Sequence, residues 1–346
     1  MLTWLRRRRP SESFEGRVVV ITGGSRGLGL LLAREYAGLG CRVAICARDP
    51  DALDRARRDL EARGAEVLAV RCDVGDRQQV EAFVAEVSGR FGAIDILVNN
   101  AGVIQVGPME DLPLESYEQA MATMYWGVVY PTLAVLPSMR ARGEGRILNV
   151  TSIGGKVSVP HLSPYSSAKF AAVGFSEGLH AELAGSGISV TTVVPGLMRT
   201  GSHLNALFGG RAPQEATWFA LGATLPLLTV SGEHAARAIV AASVRRQPVA
   251  VIGVPPRLIM WLHGVFPGLT SRLMGLVNRY LFPAPSGRGV PTLRTGRDAL
   301  AESRFPLLDR LTALGGRAAE RTNQHPRPGP ALRTVPPPAP PPPPRG

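Results

Sequence analysis

Residues 18–36 leave few folds open to this chain. Val18-Val19-Val20-Ile21 is a short apolar run of β-branched residues, the pattern of a strand buried on both faces of a parallel sheet. It leads into Thr22-Gly23-Gly24-Ser25-Arg26-Gly27-Leu28-Gly29, then into the helix-favouring stretch Leu30-Leu31-Leu32-Ala33-Arg34-Glu35-Tyr36. Strand, glycine turn and helix in this order allow tight turning, close approach of a phosphate and a helix N-terminus aimed at the anion. The spacing is TGxxxGxG, not GxGxxG, and a lone turn of this kind is weak evidence.

The alternation continues along the chain. Strands are predicted at 17–22, 42–46, 66–71, 94–98, 145–151, 188–194 and 248–253, and helices at 28–39, 50–63, 76–90, 114–141, 164–185 and 231–246. Strands separated by helices make βαβ units with right-handed crossovers. The expected fold is α/β and doubly wound, with its ligand site at the carboxyl ends of the strands.

Tyr165 and Lys169 stand four residues apart in Tyr165-Ser166-Ser167-Ala168-Lys169, with Ser152 thirteen positions upstream. On a helix, i and i+4 share a face, so the ammonium sits beside the phenol. A free tyrosine ionises near pH 10, about three units too high for a base at neutral pH. A neighbouring cation lowers that value. The Ser152 hydroxyl then holds a substrate oxygen while Tyr165 exchanges its proton. A YxxxK pair alone fits an ordinary surface helix. Its company with the glycine turn argues against that reading.

Together with Asp73 after the third strand, Asn99-Asn100-Ala101-Gly102, Pro195-Gly196 and Thr200, these motifs resemble those of the short-chain dehydrogenase/reductase family over about residues 16–253. The resemblance implies a Rossmann-type, mainly seven-stranded parallel sheet with helices on both faces. It implies hydride transfer between nicotinamide C4 and a substrate carbon, interconverting a carbonyl and a secondary alcohol. Tyr165 would be the general acid in reduction and the base in oxidation, Lys169 would hold the nicotinamide ribose, and Ser152 would orient the reacting oxygen. The cofactor site would comprise Gly23, Ser25, Arg26, Gly27, Leu28 and Gly29, Asp73 and Val74 at the adenine, Asn100 and Gly102 at the ribose wall, Pro195, and Thr200 at the nicotinamide amide. Asn99 is read as a tie between strands.

Cofactor choice is argued from charge. NAD-using relatives place an acid at the end of the second strand, where this chain has Ala47 followed by Arg48. Arg26 supplies a second cation, and two guanidinium groups favour a 2′-phosphate. NADP(H) is therefore expected over NAD(H), with Asp49 turned towards the ribose as the competing reading. One departure stands out. Many relatives complete a tetrad with asparagine in a segment resembling NxxG, where this chain reads Met124-Tyr125-Trp126-Gly127. A thioether is only a weak acceptor. Activity is expected to persist on Ser152, Tyr165 and Lys169. The alternative is a nucleotide-binding regulatory or scaffold protein with little turnover.

Composition bounds the remainder. The formal charge of +12 lies mostly at the ends: Arg6–Arg9 carry four charges, and residues 286–346 carry ten arginines against four acids, leaving only +2 for the middle. No aromatic interleaving accompanies these tails, so no nucleic-acid partner is expected. Cys41, Cys46 and Cys72 fall in or beside the second and third strands, which suggests buried reduced thiols in a cytoplasmic protein and no metal site.

The expected organisation is a basic segment 1–15, a catalytic domain 16–253, an apolar helical extension 254–285, and an Arg/Pro-rich tail 286–346 expected to be disordered. A lid at 197–230, with Leu204, Phe208, Trp218, Phe219, Leu225, Leu227 and Leu228, suggests a hydrophobic small-molecule substrate, or else simply packs on the body. Two apolar patches at 258–262 and 273–277, flanked by Arg257, Arg272 and Arg279, fit a cover for the substrate mouth, a dimer contact or peripheral contact with a membrane. A homo-oligomer is expected from the resemblance. The run of prolines at 336–344 favours extended polyproline II.

Overall fold

A computed structural model describes residues 13–225, 229–287, 292–303 and 308–324. Seven strands form one parallel sheet: β1 (Val18–Thr22), β2 (Arg42–Ala47), β3 (Val67–Arg71), β4 (Ile96–Asn99), β5 (Gly145–Val150), β6 (Ile188–Pro195) and β7 (Val249–Ile252). Their spatial order is β7-β6-β5-β4-β1-β2-β3. The order reverses at β1, which pairs with β2 on one side and β4 on the other, so the topological switch point, where open α/β sheets form their ligand crevice, falls at the β1 and β4 carboxyl ends.

The period-2 rule explains how β1 serves both faces. Val19 and Ile21 join a core with Leu32, Leu60 and Ile239, whereas Val18 and Val20 join a second core with Phe83, Val87 and Met139. The first core is covered by α1 (Gly27–Gly38), α2 (Pro50–Glu61) and α8 (Gly232–Val244). The second is covered by α3 (Arg77–Phe91), α5 (Gly127–Arg142) and α6 (Ser163–Glu182). Side chains fix several of the helix starts. The Asp49 carboxylate accepts from Ala52 N at 3.1 Å with Pro50 in the first turn, and Asp76 accepts from Gln78 N and Gln79 N.

The helix predicted over 114–141 is divided. α4 (Leu114–Met121) passes through a π-helical turn, Ala122–Trp126, into α5. Pro131 lies inside α5, where it lacks the N–H that would bond the carbonyl four residues back.

The lid carries α7 (Ala212–Thr224), and Phe208, Phe219, Ala212 and Ala216 pack with Val106 and Ala299 into a satellite core. Much of the lid's apolar content is therefore spent on its own packing, although Leu197 and Leu225 are exposed. Residues 254–285 form a helical hairpin, α9 (Val254–Val265) and α10 (Pro267–Leu281).

The stretch expected to be disordered from 286 is structured over 292–303 and 308–324. It forms α11 (Gly296–Ala301) and α12 (Leu308–Arg321), both against α7. Among the described residues, several of its contacts are close approaches at small residues. A Cβ on Gly201 would fall 2.4 Å from Ala319 Cβ, and one on Gly315 2.4 Å from Thr224 Cγ2. Arg6–Arg9, Leu227, Leu228 and the proline run 336–344 lie outside the described residues.

Candidate functional site

The carboxyl ends of β1 and β4 are laced together. Thr22 Oγ1 accepts from Asn100 N at 3.0 Å and Ala101 N at 3.1 Å, while Asn100 Nδ2 donates to the carbonyls of Thr22 and Gly23. The glycines serve this close approach. A Cβ on Gly29 would lie 2.2 Å from Gly23 O, and Gly27 takes φ +58°. Ser25 and Leu28 are buried beside them. The first turn of α1 holds no acid, and Arg26 at its N-cap contributes no side-chain cap. A helix N-terminus with a cationic neighbour and no carboxylate in its first turn fits an anion such as a pyrophosphate.

The cationic side of this crevice is built from both sequence-predicted arginines and one more. Arg26 is lowered from its ordinary pKa first by burial, with Asp49 opposing and Arg48 and Arg55 reinforcing the shift. Arg48 and Arg55 are thus each close enough to Arg26 to disfavour its charge, which a bound phosphate would relieve. Arg55 was not legible in the sequence, because only the docking of α2 brings it here. Asp49 serves as the α2 N-cap. Arg48 lies 3.9 Å from the Asp73 carboxylate, which also accepts from Gly75 N. Val74 is buried in the second core, against the start of α5 at Gly127.

Ser152 follows β5, and Tyr165 and Lys169 lie one turn apart on α6. Ser152 Oγ accepts from Gly154 N at 3.0 Å. A Cβ on Gly154 would touch both Tyr165 Cε1 and Ser152 Oγ, so the two side chains meet across that glycine. Lys169 is buried, donates from Nζ to Val150 O at 2.8 Å, and sits 5.9 Å from the centre of the Tyr165 ring. Burial lowers its pKa to about 8. For Tyr165 the expected acidification does not appear: burial pushes the phenol up, and only the Ser152 hydrogen bond pulls it down. The dry surroundings of the hydroxyl disfavour the phenolate. A buried ammonium with one hydrogen bond among the described residues still has donors to offer ribose hydroxyls.

Met124, in the π-helical turn, is fully buried beside Tyr165, Ala168 and Ala120, and its Sδ faces Gly102. Asn99 donates to Asn149 Oδ1 at 2.8 Å and Thr132 Oγ1 at 3.0 Å, and Asn149 in turn donates to Ser176 Oγ. It ties β4 to β5, as the resemblance implies. Pro195 ends β6, and Thr200 is buried five residues on.

A cavity of about 780 Å³ opens beside the loop before α6, lined by Val157, His161, Phe170, Met274, Arg279 and Phe282 among others. It lies against the loop before α6 without including Ser152, Tyr165 or Lys169, and α10 forms its far wall. His161 holds Glu215 of α7 at 2.9 Å, and Trp218 Nε1 donates to the same carboxylate. This pairing is long-range and left no sequence signal.

The model of the short chain dehydrogenase family matches residues 17–206. A dehydrogenase/reductase SDR family protein 7-like of Anopheles gambiae is 36% identical over 280 residues, 79% of this chain and 87% of its own. A solved point variant of actinorhodin polyketide ketoreductase with NADPH is 31% identical, with TM-score 0.60, covering 70% of this chain and 96% of that one. A short chain dehydrogenase/reductase of Burkholderia phymatum with NAD shares the fold at 24% identity, with TM-score 0.64, covering 75% and 96%.

Proposed function

The chain belongs to the short-chain dehydrogenase/reductase family, as an oxidoreductase of CH–OH or C=O groups with a nicotinamide cofactor, and from that premise we propose that it prefers NADP(H) and acts on a hydrophobic carbonyl or secondary alcohol. The observation that carries the catalytic reading is the meeting of Ser152 and Tyr165 beside the buried Lys169. The nicotinamide, when bound, supplies or takes the hydride. Ser152 Oγ holds the reacting oxygen. Tyr165 Oη gives that oxygen a proton in reduction and removes one in oxidation. Its raised pKa keeps the phenol protonated at neutral pH, the form suited to reduction. Lys169 Nζ holds the ribose hydroxyls and keeps a positive charge near the phenol.

The NADP(H) preference is supported by the Arg26, Arg48 and Arg55 cluster and by the engagement of Asp49 as a helix cap. A hydrophobic substrate is supported by the apolar part of the cavity wall. We further propose that the α9–α10 hairpin rests on an anionic membrane surface, bringing that cavity to apolar substrates. Residues 254–285 hold Arg257, Arg272 and Arg279 and no acid.

NADPH oxidation against a panel of apolar ketones tests the catalytic roles. Tyr165→Phe should lower kcat by about 10²- to 10⁴-fold with cofactor binding retained. Cofactor binding with no Tyr165-dependent turnover would instead favour a regulatory scaffold, the reading that Met124 in place of asparagine supports.

A further inference from the structure

The strongest unexplained contacts in the molecule are those of the three residues after α12. Thr322 O accepts from Gly27 N at 2.8 Å, and Thr322 Oγ1 donates to Thr200 O at 2.9 Å. Asn323 Nδ2 donates to Ser25 O at 2.8 Å and Ala52 O at 2.9 Å, and its Oδ1 accepts from Arg55 Nε at 2.8 Å. Gln324 Oε1 accepts from Asn205 Nδ2 at 2.6 Å, and Asn205 Oδ1 takes a long 3.4 Å bond from Arg26. Thr322 and Gln324 are buried, and Asn323 adopts φ +57°, a left-handed conformation that asparagine tolerates better than most residues.

The partners of these residues form a pattern. Ser25, Gly27, Ala52 and Arg55 belong to the glycine-turn side of the crevice, and Thr200 and Asn205 belong to the loop after β6 on the opposite side. Residues about 270 to 300 positions from the first wall and about 120 from the second thus bridge the two walls between which a dinucleotide must pass. Gly27 is shaped for this contact as well as for its turn, since a Cβ there would stand 2.8 Å from Gln324 Nε2. A segment serving only to end α12 would have no need of bonds to both walls.

We propose that Thr322, Asn323 and Gln324 form a clasp across the dinucleotide crevice, whose opening sets the rate of cofactor release. The clasp rests on the reading that the cofactor occupies this crevice. Release requires the bonds to one wall to break together, whereas Asn323 and Gln324 bond no residue assigned to the nicotinamide end, so substituting them leaves hydride transfer untouched.

The test uses the full chain and two variants. Asn323→Gly removes the side-chain amide while keeping the left-handed backbone accessible, and Gln324→Ala removes the bond to Asn205. Stopped-flow release of NADPH, followed by its fluorescence, should be about tenfold faster or more in each variant. KM for NADPH should rise, while single-turnover hydride transfer from enzyme pre-saturated with NADPH stays unchanged. Release within twofold of the unaltered protein, in variants whose circular dichroism and melting show an intact fold, overturns the clasp. A faster on-rate with unchanged release also overturns it, making the segment a competitor for the site. Failure of the unaltered protein to bind NADPH would overturn the cofactor reading along with the clasp, whereas bound cofactor with unchanged release overturns the clasp alone.

Discussion

Lys169 is a cation held where water is scarce, and its position carries a stability cost. Its pKa falls from 10.5 to about 8 on folding, so between those values the unfolded chain binds more protons than the folded one. The penalty is therefore complete below pH 8 and fades as pH rises towards 10.5. Lys169→Met should raise the free energy of unfolding by on the order of 1–3 kcal/mol at pH 7, with the gain shrinking by pH 10. Urea unfolding at both values measures this, and a less stable variant at pH 7 contradicts it. Arg48→Asp belongs to the same scale. It should shift the NADP/NAD ratio of kcat/KM towards NAD by about tenfold or more, as a charge-assisted phosphate contact is replaced by repulsion. An unchanged ratio counts against Arg48 as a ribose-phosphate contact. The spacing of Tyr165 and Lys169 was legible because a helix has a fixed period. The rise in the Tyr165 pKa was not, because burial depends on what α6 packs against.

At the scale of elements, the parallel sheet was readable because each strand is a short apolar run and each cap is a local feature, as Asp49-Pro50 shows. Two elements escaped. The π-helical turn at Ala122–Trp126 follows a sequence that reads as continuous helix, and only its surroundings reveal the bulge: Met124 packed on Tyr165 and Gly102. Such turns recur at functional sites because they re-aim a side chain within a helix. The second is the return of 292–324 to the body. Its described buried residues include Gly296, Gly315, Thr322 and Gln324, residue types that no hydrophobic pattern selects. The same limit explains why the Asn205–Gln324 and His161–Glu215 pairs left no trace in the sequence. Polar pairs far apart along the chain have no period, so only tertiary structure can join them.

At the scale of the whole molecule, the α9–α10 hairpin sets an apolar face outward. Leu258 and Trp261 are each 64% exposed, and Leu269, Leu276, Tyr280 and Leu281 are at least half exposed. No helix among the described residues is long and apolar enough to cross a membrane. Contact in the interfacial plane is therefore the membrane mode this hairpin suits, with aromatic rings at headgroup depth and arginines near anionic lipid. α10 also walls the cavity beside the loop before α6, so a lipid-borne substrate would have a short path inward. The protein should co-sediment with phosphatidylcholine vesicles containing phosphatidylserine, less so at high salt and less so without the anionic lipid. The double substitution Leu258→Glu and Leu276→Glu, at exposed positions outside the cavity lining, should abolish that binding while leaving turnover of a water-soluble ketone unchanged. Absence of vesicle binding by the unaltered protein defeats this assignment. So does a dimer, seen by light scattering, that the same double variant dissociates, because the face would then belong to a second copy of the chain.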